Sequence, residues 1–386
     1  MLLLNITPIY LRCGVLLSKT SDISKEIYSL KEKFKYINPE NNIIYKDNIL
    51  LLFKISYFKI DDFRDSPDFD FLKNKIKIIE DFNLDEKEKE ILEKNKENNE
   101  NISESHIKNK LIKKCYYCGE LTGKREFLIY NLFKKKCVQL GNSNELIIKG
   151  IDFLSKNIKN TFFNLPKNPV ADLICVGEGI KKAEMKNYMN LDNNLYPYLL
   201  TTGQEGVSIY KVYSINSFEK IGGNSFGPST LWSLFTYSCG YDIPDLACEE
   251  AANGNNKLID LSVGDIYGGN YENMSLSSDL IGSSFCKFKN IDDINNIEKK
   301  DVSKSLVILY GATYSHITSL VSLKENINKV IISGNPFYSL ELFQIIQTSI
   351  ERYSSNTIGT IFSDYSDYFE IIGMVIDLGN KELFEI

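Results

Sequence analysis

Apolar and polar positions along the chain alternate in blocks that predict strands in some places and helices in others. Leu2 to Lys19 reads as strand, turn and strand. Ser21 to Phe34 has the spacing of an amphipathic helix, with Ser21 or Asp22 as its cap. Ile43 to Phe58 reads as two strands broken near Asp47 and Asn48. Tyr198–Thr202 and Val207–Tyr213 predict a hairpin joined by Gly203, Gln204, Glu205 and Gly206. An apolar segment from Thr230 to Cys239 is stopped by Gly240, as a helix end commonly is. Asp242 is placed to cap a second helix that has Pro244 in its first turn and ends at Gly254. A third short helix is expected around Lys257 to Val263. Asp301 to Lys324 reads as a long helix, Lys329 to Ser333 as a buried strand, and Ser339 to Arg352 as a helix. Asp85 to Lys114 stands apart. Its run of Lys, Glu and Asn buries too little apolar surface to offset the entropy of ordering, so a solvated insertion is expected there.

Composition narrows the class. A chain of 386 residues, 43% apolar and 25% charged, suits a soluble globular protein of two domains or one two-lobed unit. The net charge of −6 argues against a broad nucleic-acid footprint. With two histidines, His106 and His316, histidine catalysis or a multi-His metal site is not expected. Eight cysteines are too sparse for a disulfide scaffold. Met1 to Ile6 is short, lacks a charged start and soon meets Arg12, so it reads as a strand and not as a signal peptide. No apolar run was expected to reach membrane-spanning length, which placed the chain in the cytoplasm, away from membranes.

Two local patterns suggest chemistry. Gly222, Gly223, Gly227, Pro228 and Ser229 form a loop that feeds a helix, and backbone N–H groups at a helix start suit a phosphate or carboxylate. Cys115-Tyr116-Tyr117-Cys118 has no second Cys or His pair at workable spacing, so neither a zinc site nor a redox pair is expected.

The order of loop, helix, glycine stop, acidic helix and Asp265-Ile266-Tyr267-Gly268-Gly269-Asn270-Tyr271 resembles the eukaryotic-type (type II) pantothenate kinases, whose segment ends D-I-Y-G-G-D-Y. Tyr196-Pro197-Tyr198-Leu199-Leu200, Gly282-Ser283-Ser284-Phe285 and Asn326 to Asn335 extend the likeness, which is strongest over residues 195–386. It implies an α/β fold with two ribonuclease-H-like lobes, of the actin, hexokinase and acetate-kinase class. The lobes would be residues 1–190, holding the insertion near 85–114, and residues 191–386, holding the dimer interface and the pantothenate pocket. It also implies ATP and Mg2+ as nucleotide and metal, pantothenate as substrate, CoA or acyl-CoA as feedback ligands, and a homodimer or a heterodimer with an intact paralogue.

Carried over by position, Gly14, Lys19, Gly206, Gly227, Gly334 and Gly373 would serve the nucleotide, and Lys220, Tyr267 and Tyr271 the substrate. Several positions depart from the family pattern. The D-I-G-G-T-x-x-K signature leaves Gly14, with Lys19 one residue late and the Asp absent. Counted back from Lys149-Gly150, the general-base glutamate falls on Ser143, which leaves Glu145, two residues on, as the candidate catalytic base that the resemblance offers. The G-S-G turn reads Gln204-Glu205-Gly206, N-N-I-G has become Thr313-Tyr314-Ser315-His316, and Glu370 replaces the first glycine of Y-F-G-A-x-G-A. Each change touches nucleotide or proton-transfer machinery. The resemblance therefore supports two expectations, a pantothenate kinase subunit and a catalytically degenerate partner that completes or regulates an intact kinase.

Overall fold

The computed structural model describes residues 2–6, 10–18, 43–45, 48–56, 115–118 and 138–379, apart from 167–174, 176, 178–184, 192–193, 204, 242–243, 289–295 and 335–338. Lys19, the expected helix at 21–34, the insertion at 85–114, Gln204 and Asp242 lie outside the described residues. The chain divides into two compact units. One joins Met1–Ile151 to Tyr368–Ile386, and the other is Asp152–Asp367. The lobe division expected at residues 190 and 191 is a separate partition, drawn from resemblance.

The first unit holds β1 (Leu2–Ile6), β2 (Tyr10–Ser18), β3 (Ile43–Tyr45), β4 (Asn48–Ser56), β5 (Cys115–Cys118) and β6 (Val138–Gln139). They form one sheet in the order β3-β4-β2-β1-β5-β6. β1, β2, β4 and β3 pair antiparallel, while β5 lies parallel to β1 and β6 parallel to β5. The Cys115–Cys118 pair is therefore part of a strand. Two helices belong with this sheet: α1 (Ser143–Asn157), whose first residues close the segment to Ile151, and a last helix, Phe369–Gly379.

The second unit holds β7 (Phe162–Asn164), β8 (Asn187–Met189), β9 (Tyr198–Gly203), β10 (Val207–Ser214), β11 (Ser217–Asn224), β14 (Lys329–Ser333) and β15 (Gly359–Ser363), in the order β11-β10-β9-β14-β15-β7-β8. β9, β14 and β15 are parallel, and the β9–β10–β11 meander is antiparallel. A small pair, β12 (Leu261–Ser262) with β13 (Ile281–Ser283), stands apart. The helices are α2 (Pro228–Cys239), α3 (Pro244–Ala251), α4 (Val263–Tyr267), α5 (Lys299–Glu325) and α6 (Leu340–Tyr353); the last helix of the chain is α7.

Five consecutive strands of each sheet, numbered among themselves in chain order, follow one order: third, second, first, fourth, fifth. In the first unit these are β4-β2-β1-β5-β6, and in the second β11-β10-β9-β14-β15. The first three are antiparallel and the last two run parallel to the first. This is the doubled ribonuclease-H-like arrangement expected from the resemblance.

The second unit's core explains its strand pattern. Every residue of β9 is buried, as is Val330–Ser333 of β14, so these central parallel strands are apolar runs without alternation. Phe343 stacks on Phe362 at 4.6 Å, and Phe163 packs against both. Gly240 ends α2 in the left-handed conformation at φ 67°, and its N–H bonds back to Thr236.

Two expectations are corrected. Lys257 to Val263 is a turn and a short strand, and α4 begins only at Val263. The side chains of Asn256 and Asp260 compete with a helix there. Asn256 Nδ2 donates to Asp260 at 2.6 Å, and Asp260 also accepts from Phe285 N and Ser305 Oγ. Ser262 and Asp265 then form a reciprocal capping box that starts α4. Second, α5 is by length and composition apolar enough to cross a membrane, contrary to the expectation that no such run exists. In this fold it is a core helix that buries Val302, Leu306, Val307, Tyr310 and Tyr314.

Candidate functional site

The second unit gathers glycine backbone where its parallel strands end. Gly203 is the last residue of β9, and Gly334 follows β14 at φ +67°. A Cβ on Gly334 would lie 2.9 Å from the Gly203 oxygen, and one on Gly203 would lie 3.0 Å from Pro228 Cγ. A Cβ on Gly227 would stand 2.3 Å from the Glu205 oxygen and 2.4 Å from Gly206 Cα. One on Gly206 would meet the Asn224 oxygen at 2.8 Å. The ends of β9 and β14 and the start of α2 thus meet at glycines, with a Cβ on Gly206, Gly227 or Gly334 falling under 3.0 Å from backbone and one on Gly203 tight against Pro228. Gly227 is the N-cap of α2, with Pro228 at the first position and no side-chain cap. A helix start beside the carboxyl ends of parallel strands is a place where an anionic ligand is favoured. Gly206, Gly227 and Gly334 are brought together as expected positions. Gly203 was read only as part of the hairpin. Glu205 is exposed on the same turn.

Tyr267 and Tyr271 are also brought together. Their rings stack at 4.4 Å and 17°, across a turn in which Gly268 adopts φ 79°. Tyr271 and Leu276 exchange backbone hydrogen bonds at 2.9 and 3.1 Å, which holds the turn. Tyr267 is 56% exposed. The fixed turn therefore presents an aromatic face to solvent. Lys220 stands on a separate strand, β11, opposite Tyr210, and is exposed. His316 is exposed and stacks on Tyr353 at 4.5 Å.

The first unit contributes a helix crossing. A Cβ on Gly150 of α1 would lie 2.1 Å from the Phe369 oxygen, and one on Gly373 of α7 would lie 2.0 Å from the Leu146 oxygen. Each glycine lets its helix touch the other's backbone, so Gly373 faces α1. Lys149 pairs with Asp377 at 2.5 Å across the same crossing. At its edge Ser143 Oγ, on the first residue of α1, donates to the Glu370 carboxylate. Glu370 is 5% exposed and Ser143 half-buried, while Glu145 is exposed. Gly14 lies in β2, paired with Leu3 and Leu52.

Buried ionisable groups add a second network in the larger unit. Burial pushes the Lys304 amine down to about 8, against the opposing pull of Asp260, and its Nζ donates to Gly177 O at 2.5 Å. Burial raises the Asp260 carboxyl, opposed by its hydrogen bonds. Asp265, by contrast, is held down at about 2 by Lys287, 2.6 Å away, and by the Ser262 N–H. Among the described residues, no group of three or more His, Cys, Asp or Glu side chains is placed to hold a metal ion.

A family profile described as Fumble matches residues 52–377. The chain belongs to that family, the type II pantothenate kinases. A pantothenate kinase of Schizosaccharomyces pombe is 28% identical over 280 residues, covering 71% of this chain and 66% of that protein. Pantothenate kinase 1 of Arabidopsis thaliana is 28% identical over 259 residues, covering 65% and 63%. A 4'-phosphopantetheine phosphatase of Mus musculus is 29% identical over 232 residues, covering 59% of this chain and 26% of that protein. This Fumble-family chain thus spans about two-thirds or less of these relatives' lengths. Among solved structures, a glucokinase of Balamuthia mandrillaris in complex with glucose covers 97% of this chain and 92% of itself, at 11% identity and a TM-score of 0.41.

Proposed function

We propose that this chain is a pantothenate kinase subunit, which transfers the γ-phosphoryl of ATP to the hydroxyl of pantothenate and forms 4'-phosphopantothenate on the way to coenzyme A. The observation that carries the reading is the meeting of Gly203, Gly206, Gly227 and Gly334 at the ends of β9 and β14 and the start of α2. Backbone N–H groups in such a place cradle phosphate without a side chain between. Phosphoryl transfer asks mainly for positioning and for neutralisation of the phosphate charge. Gly14 and Lys19 complete the proposed nucleotide set, and Lys220, Tyr267 and Tyr271 the proposed pantothenate set, while Gly373, expected at the nucleotide, packs against α1. On this reading Mg2+ would enter with ATP, held largely by the phosphates, and would neutralise part of their charge. The proposed setting is cytoplasmic, with CoA or acyl-CoA as a regulatory ligand and a homodimer as the assembly.

A second reading is favoured by Glu205, an exposed carboxylate on the turn between Gly203 and Gly206. A negative side chain there repels a triphosphate. On this reading the chain is a degenerate partner in a heterodimer and lends Tyr271 and its surroundings to an intact paralogue's pocket. One relative carries a phosphatase's name, so family membership alone does not select the reaction.

Calorimetry with Mg-ATP, with and without pantothenate, followed by a steady-state kinase assay, separates the two. Nucleotide binding with turnover supports the kinase. An inactive chain that binds no nucleotide but co-purifies with an active paralogue, whose rate falls when Tyr271→Ala is introduced, supports the partner.

A further inference from the structure

We propose that Tyr310 is a positioning residue of the nucleotide site, a buried brace on α5 that holds the end of β9 and the loop entering α2 at one spacing. The proposal rests on the reading of the glycine cluster as a phosphate cradle.

The glycines that meet at the ends of β9 and β14 and the start of α2 have no side chains of their own to pack. Glycine backbone is also the freest to rotate. Such a cradle keeps its shape only if neighbouring side chains hold it. Tyr310 is 1% exposed, on the core helix α5. Its hydroxyl lies 3.6 Å from where a Cβ on Gly203 would stand, a place that Pro228 Cγ approaches to 3.0 Å. Pro228 is the first residue of α2. The Tyr310 ring also meets Phe226 edge to face, with centroids 5.7 Å apart and planes at 86°. Phe226 directly precedes Gly227, the N-cap of α2. One side chain therefore touches the end of β9 and the entry to α2.

Tyr314, the next turn of α5, ties the same helix to the sheet. Its ring centroid is 5.9 Å from that of Tyr310, and its hydroxyl donates to Thr201 O at 3.3 Å. Thr201 lies within β9, paired with Ile209 of β10 and Ile332 of β14. The tie is thus made just before Gly203, among the strands that end at the cradle. Burial raises both phenols, so both stay protonated at neutral pH and Tyr314 remains a donor.

The assignment separates Tyr310 from an ordinary core residue. A purely structural side chain changes how much of the protein is folded. A positioning residue changes how well the folded protein binds. Phe343 supplies the comparison, since its ring packs on Phe362 and Phe163 in the same unit.

The test is calorimetric titration of Mg-ATP into the full chain and into Tyr310→Leu, Tyr310→Phe, Phe226→Leu and Phe343→Leu, each with its urea midpoint. Tyr310→Leu is expected to weaken Mg-ATP binding by about 10- to 100-fold at unchanged stoichiometry, because a drift near 1 Å at a binding site has costs of that order. Tyr310→Phe keeps the edge-on contact and is expected to restore most of the affinity. Phe226→Leu removes the other ring of the pair and is expected to weaken binding in the same direction. Phe343→Leu is expected to lower the urea midpoint and leave the affinity unchanged. A Tyr310→Leu protein that folds and binds Mg-ATP as tightly as the parent overturns the brace and leaves the nucleotide reading intact. An equal loss of affinity in Phe343→Leu overturns it too, since general loosening of the core then accounts for both. If Tyr310→Leu does not fold, Phe226→Leu on its half-buried loop position decides, and an unchanged affinity there overturns the proposal. A parent chain that binds no Mg-ATP overturns the nucleotide reading and the brace together.

Discussion

The two units share one strand order and differ in where glycine brings backbone together. In the second unit the close approaches lie at places that strand order locates: the ends of the parallel strands β9 and β14, met by a helix start. In the first unit they lie on a crossing between α1 and α7, which strand order does not locate. A duplicated topology thus carries its glycine contacts at strand ends in one unit and at a helix crossing in the other.

The largest expected effect tests whether the units are separate in stability. Phe343 stacks on Phe362 in the second unit's core and both are buried, so Phe343→Ala is expected to cost about 3–5 kcal/mol. Hydrogen exchange should show the loss in β14, β15 and α6. Equal loss of protection in β1, β2 and β4 would break the distinction between the units.

Next comes the backbone site. Gly227→Ala places a Cβ 2.3 Å from a carbonyl oxygen, and the turn at Glu205 and Gly206 must move. A shift of about 1 Å at a phosphate cradle costs on the order of a hundredfold in rate or affinity. Calorimetry with Mg-ATP is expected to show that loss while the pantothenate pocket is spared. Undiminished nucleotide affinity would remove the glycine cluster from the site. The matching change in the first unit, Gly373→Ala, drives a Cβ to 2.0 Å from the Leu146 oxygen. It is expected to cost about 1–3 kcal/mol through strained packing. Nucleotide affinity measured on the same protein should change less than in Gly227→Ala.

The same contrast accounts for what was legible in the sequence. The hairpin around Gly203 to Gly206, the stop at Gly240, the long helix α5 and the buried strand β14 are local: a few neighbouring residues carry each signal. The third helix was misplaced because Asp260 is held by Phe285 and Ser305, partners 25 and 45 residues away. The membrane-length apolar run in α5 was missed because its Ser, Thr and Tyr residues and His316 break the apolar letters while leaving the average high. At the candidate site, Gly206, Gly227 and Gly334 were named by resemblance alone, and the close approaches around them appear only in the fold. Glu370 stood out only as a replaced glycine, because its hydrogen-bond partner Ser143 is 227 residues away. Pairings of that kind become visible only when the fold brings two helices together.

The smallest effect concerns the second unit's buried charges, and its sign is fixed by which state holds the extra proton. Lys304 is pushed down to about 8 from 10.5, so between those values the unfolded chain binds a proton that the folded chain has released. Stability therefore rises with pH across that window, by about 1 kcal/mol for each pH unit at the start. The buried thiols of Cys239 and Cys248, ordinarily near 9, and the buried phenols of Tyr198, Tyr310 and Tyr314, ordinarily near 10, are all raised by burial. Their contribution is present below those values and is lost as pH climbs past them. The two opposing slopes place the maximum of stability near pH 9, measurable as the urea midpoint between pH 7 and 11. In Lys304→Met the rise from pH 8 to 9 should vanish while the alkaline fall remains. A rise that survives in Lys304→Met would assign it to another group and detach Lys304 from the Asp260 network.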